Sequence, residues 1–74
     1  MAEAATKLIQ IVVNGQVRQT PPGQTLSELL LFLQVDPARV AVELNRSIVS
    51  RPDWAGTRIQ DGAKLEIVQF VGGG

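Results

Sequence analysis

The sequence predicts an α+β roll, a mixed four- to five-stranded sheet gripping one main helix. Three observations carry that expectation. Apolar residues alternate with period two in three separate stretches, as half-buried strands require. One stretch, "TLSELLLFLQ", instead spaces its leucines as a helix does. Between the first two extended runs stands Asn14-Gly15, the strongest short hairpin signal available. A lone amphipathic helix can bury its stripe only against the sheet, and it is long enough to cover one face.

Each element follows from local chemistry. In "KLIQIVVNGQVRQT", Ile9, Ile11 and Val13 fall on one strand face, and Leu8, Gln10 and Val12 on the other. Asn14 and Gly15 both tolerate the positive φ of a type I′ turn. Val17 continues the return strand, and "PPG" at Pro21 to Gly23 ends it, because proline donates nothing to a ladder. Thr25 caps the helix, with Glu28 three residues on completing a capping box. Leu26, Leu29, Leu30 and Leu33 form one stripe, Leu31 points away from it, and Phe32 lies on its flank. The helix should stop near "QVDPARV", since the residue before Pro37 is pushed out of helical geometry.

"VAVELN" reads as the next strand, Val40, Val42 and Leu44 alternating with Ala41, Glu43 and Asn45. "RSIVSRPDWAGTRIQDGAK" reads as a polar connection around Ile48-Val49 and Trp54, closed by an Asp61-Gly62 turn. In the last strand, "LEIVQFV", Leu65, Ile67 and Gln69 share one parity, and Glu66, Val68 and Phe70 the other. If the first and last strands lie side by side in the middle, they run parallel and the helix makes the crossover. The chain divides into a leader at 1–7, a folded domain at 8–71 and a glycine tail at 72–74.

Composition removes several classes of function. At 74 residues the chain is a single domain, able to bury only about 60% of its unfolded surface. Seven basic residues balance seven acidic ones, so no net charge draws it to nucleic acid or an anionic membrane. With neither cysteine nor histidine, the usual ligands of a transition metal are missing, and no metal site is expected. No stretch approaches the roughly 18 apolar residues needed to span a bilayer. "MAEAATK" lacks the basic start and apolar run of a secretion signal, so a cytoplasmic protein is expected.

Asp53 and Asp61 have no partners for acid–base catalysis, Trp54 reads as a loop anchor, and Arg46, Arg51 and Arg58 read as solvated or loop-bracing cations. The informative feature is the end, "QFVGGG". Glycine lets a backbone enter a narrow site and adopt φ values closed to other residues. An apolar strand feeding straight into three glycines leaves two readings, a slack tail or a Gly74 carboxylate that is itself a reactant. In the second, Gly73 and Gly72 would thread it into a partner enzyme. Phe70 and Val68, sharing a strand face, and Glu43 beside them, would form the docking patch for that partner.

"VNG" at Val13 to Gly15, "LNRSIVSR" at Leu44 to Arg51, Trp54, "DG" at Asp61-Gly62 and the terminal diglycine occur here in one order. Over residues 8–74 this combination resembles the ThiS family of sulfur carriers, whose fold is the ubiquitin-like β-grasp. Ser50 departs from it, since many relatives carry proline there; only the rigidity of that loop is affected. The resemblance implies a protein substrate, not an enzyme. An E1-like, ThiF-type adenylyltransferase would adenylate Gly74 with ATP and magnesium that this chain does not itself bind. A sulfur donor such as a cysteine desulfurase would supply sulfur, and the thiocarboxylate would deliver it to a ThiG-type thiazole synthase building the thiazole ring of thiamin. Two rival readings keep the tail but change its use. One is the small subunit of molybdopterin synthase. The other is a ubiquitin-like modifier, which would show as high-mass lysine adducts lost on removing Gly74.

Overall fold

The computed structural model describes residues 7–70. All of the expected leader but Lys7, the domain boundary at 71 and the glycines at 72–74 lie outside the described residues. Five strands and one α-helix follow in the order β1 (Ile9–Val13), β2 (Gln16–Thr20), α1 (Leu26–Phe32), β3 (Val40–Leu44), β4 (Ser47–Ile48) and β5 (Lys64–Gln69). They form one mixed sheet ordered β2-β1-β5-β3-β4. The first and last strands are parallel neighbours at its centre, and the other pairs are antiparallel.

The β1–β2 hairpin closes through Asn14 (φ 50°) and Gly15 (φ 82°), both left-handed as a two-residue primed turn demands. Helix α1 starts with a complete capping box. Thr25 Oγ1 accepts from the Glu28 N–H at 3.2 Å, and Glu28 Oε1 accepts from the Thr25 N–H at 2.8 Å. The buried residues Ile11, Leu26, Leu29, Leu30, Val40, Val42 and Leu65 bring the helix stripe onto the inward parity of β1, β3 and β5. Trp54 is buried at the core's edge, its Nε1 donating to the Val49 carbonyl at 2.9 Å. Arg51 stacks 4.8 Å from the Trp54 ring centroid and donates to the Pro37 carbonyl, bracing the 3₁₀ turn Arg51–Gly56 against the start of β3.

One element stops where expected but for another reason, and one was not expected. The helix ends at Phe32, just before "QVDPARV", and the proline is not what ends it. Gln34 adopts φ 62°, the Val35 N–H reaches the Leu30 carbonyl at 2.9 Å, and the Gln34 N–H reaches the Leu31 carbonyl at 3.0 Å. This is a Schellman stop, with Val35 packed on the core as its apolar contact. The supposed connection after β3 also contains a strand. Asn45 (φ 49°) and Arg46 (φ 74°) make a second tight turn, and Ser47–Ile48 pairs back along β3.

Candidate functional site

Strand β5 runs through the middle of the sheet, and residues 71–74 follow it in sequence. Its outward parity carries Lys64, Glu66, Val68 and then Phe70, whose N–H donates to the Arg39 carbonyl at 2.7 Å. On β3 the opposing outward residues are Ala41, opposite Val68, and Glu43, opposite Glu66. Ile48 of β4 stands opposite Glu43 on its other side. Ala41, Glu43, Ile48, Glu66 and Val68 line an open groove of about 390 Å³.

The groove is apolar where a lone domain has no use for it. Ile48 is 76% exposed, Val68 59% and Phe70 53%. These exposed apolar side chains stand together on one sheet face, the arrangement a docking surface uses. Within it Glu43 faces Glu66 directly, and like charges in such cross-strand pairs oppose folding.

Of the residues that the sequence marks for docking, Val68 and Glu43 line this groove, whereas Phe70 lies beyond it on the same face, toward the tail. Sequence reasoning missed Ile48 and Glu66. Ile48 belongs to the short apolar run Ile48-Val49 in a polar stretch, and that run was the available signal. Gly74, expected as the modified residue, and Gly73 and Gly72, expected to thread it, lie outside the described residues. Among the described residues no three acidic side chains converge as a metal ion would need, and no helix is long and apolar enough to cross a membrane.

Comparison with known proteins narrows the reading. The model of the ThiS family matches residues 11–74. A thiazole synthase of Paramagnetospirillum magneticum is 44% identical over 66 residues, spanning 89% of this chain. The chain takes in only 20% of that protein's length, and the same share of a thiazole synthase of Magnetococcus marinus. The sulfur carrier protein ThiS of Escherichia coli is 39% identical over 89% of this chain and is covered along 100% of its own length. The crystal structure of the thiamine biosynthesis protein ThiS from Geobacter metallireducens superposes with a TM-score of 0.79 at 32% identity, covering 89% of this chain and 100% of that one.

Proposed function

The chain belongs to the ThiS family, and from that premise we propose that it is a sulfur carrier of thiamin biosynthesis whose working group is the Gly74 carboxylate. One observation carries the reading. The family match runs through residue 74, and the alignment spans the whole of the E. coli sulfur carrier. The chain is a protein substrate, and the catalysis belongs to its partners.

Chemistry explains the division of labour. A terminal carboxylate, with a pKa of about 3.3–3.7, is an anion at neutral pH and a poor electrophile. Attack by its oxygen on the α-phosphate of ATP forms an acyl-adenylate and expels pyrophosphate. A sulfur nucleophile then forms a C–S bond at the acyl carbon as the C–O bond to AMP breaks. Sulfide leaves a thiocarboxylate directly, whereas a donor's persulfide leaves an acyl disulfide that a thiol reduces to the thiocarboxylate. Both steps need the reacting atoms held at roughly 3–3.5 Å, which a side-chain-free tail permits inside a partner's site. The activating partner is an E1-like adenylyltransferase using ATP and magnesium, fed by a sulfur donor such as a cysteine desulfurase. The receiving partner is a thiazole synthase, a choice supported by the thiazole synthases in which a similar stretch makes up a fifth of the chain.

The outer face of β3, β4 and β5 docks these enzymes. Val68, Phe70 and Ile48 supply apolar area, and the facing pair Glu43 and Glu66 favours a partner surface with a basic group at its centre. Phe70→Ala or Val68→Asp should raise the KM of the activating enzyme for this chain about tenfold or more. The melting temperature should move little, since neither side chain is in the core. Steady-state adenylation kinetics beside thermal melts check this, and an unchanged KM would remove the docking assignment. Affinity capture from cell extract should recover thiazole synthase. Recovery of the molybdopterin synthase large subunit in its place would redirect the sulfur.

A further inference from the structure

The turn that closes the first hairpin does a second job at the far end of the chain. Backbone pairing of β1 with β5 ends at Val13 opposite Leu65, with the Asn14 N–H donating to the Leu65 carbonyl at 2.9 Å. Had β1 continued, its next peptide groups would have bonded the N–H and carbonyl of Ile67. The chain turns away at Asn14 instead, and the Asn14 carboxamide fills both places. Its Oδ1 accepts from the Ile67 N–H at 2.7 Å, and its Nδ2 donates to the Ile67 carbonyl at 3.1 Å. One side chain thus carries the parallel ladder two residues further than the backbone of β1 can.

That extension falls beside an opening in the fold. Helix α1 ends at Phe32, and an opening of about 210 Å³ lies between Leu33 and Val35 on one side and Ile67 and Gln69 on the other. Beyond Ile67 the strand is held from the β3 side, through Val40 opposite Gln69 and the Phe70 N–H on the Arg39 carbonyl. We infer that Asn14 is a positioning residue for sulfur loading. It fixes the last two-sided point of β5 and so sets the place and direction from which residues 71–74 are presented to the activating enzyme. Asn45 makes a similar substitution at the other end of β5, where its Oδ1 accepts from the Lys64 N–H at 3.0 Å, at the start of the strand rather than near Ile67.

The inference rests on the sulfur-carrier reading, and its test separates the two. Asn14→Gly keeps the turn, because glycine takes positive φ freely, and removes the side chain that carries the carboxamide. Asn14→Asp keeps the acceptor for the Ile67 N–H and loses the donor. In the full-length chain, amide exchange at Ile67 should quicken about tenfold in Asn14→Gly, as expected for loss of one net hydrogen bond. The Ile11 amide should keep its wild-type exchange rate. In adenylation kinetics kcat should fall roughly 3–10-fold, since small misplacements of a reacting group are costly. KM should stay within about twofold, because the docking face is untouched. Asn14→Asp should recover part of both effects. Unchanged exchange at Ile67 would overturn the clamp. Faster exchange with wild-type kcat, or a loss confined to KM, would overturn its role in presentation. If the wild-type chain is not adenylated at all, the sulfur-carrier reading fails with its presentation role, while the exchange measurement still decides whether Asn14 clamps β5.

Discussion

Appending one alanine to Gly74 is expected to abolish thiocarboxylate formation while leaving the melting temperature where it was. The reacting carbonyl would move one residue outward, about 3.3–3.6 Å along an extended chain, and would gain a Cβ beside it. Adenylation tolerates no such displacement, because its reacting atoms must stand at roughly 3–3.5 Å. The buried core lies between Ile11 and Leu65, and nothing in it depends on the added residue. The two readouts therefore part company: loading falls to background and stability does not change. Intact mass after incubation with the activating system, beside a thermal melt, checks both. Undiminished loading of the extended chain would show that the carboxylate of Gly74 is not the acyl group.

The second large effect is on folding. Leu29→Ala should destabilise the domain by about 2–5 kcal/mol, the range for truncating a buried leucine. Leu29 is 0% exposed and sits on the stripe that α1 presents to the sheet. For a chain of 74 residues total stability is roughly 4–11 kcal/mol, so the loss is a large fraction of the whole. The melting temperature should fall by about 10 °C or more. The control is two residues away. Leu31 is 66% exposed, and Leu31→Ala should change stability by no more than about 0.5 kcal/mol. Urea denaturation measures both, with the midpoint shifting and the m-value unchanged. Similar losses for the two variants would contradict the assignment of the buried stripe.

The sequence made most of this architecture legible because its strong signals are local. Leu26, Leu29 and Leu30 fell on the buried face of α1 because helical spacing requires it. The parities of β1, β3 and β5 followed from period-two alternation. Features closed by unusual residues were harder to read. Arg46 at φ 74° makes a turn where glycine would be expected, so β4 left no motif. The end of α1 was legible near "QVDPARV", although its cause is Gln34 at φ 62° and not Pro37. The proposed docking face was half legible. The parity of Val68 and Phe70 can be read along one strand, but the meeting of Glu43 with Glu66 depends on register between strands. The second role of Asn14 was out of reach for a related reason, since its partner Ile67 lies 53 residues away. The glycine tail was legible as a motif, and its meaning comes from the family to which the chain belongs.

Incubating the purified chain with the activating enzyme, ATP, magnesium and a sulfide source, then recording its intact mass, tests the sulfur-carrier claim most directly. The predicted result is a new species heavier by the difference between sulfur and oxygen, with fragmentation assigning the change to Gly74. A mass that stays unchanged while the same enzyme loads a known carrier, or a sulfur fixed anywhere else in the chain, would contradict it.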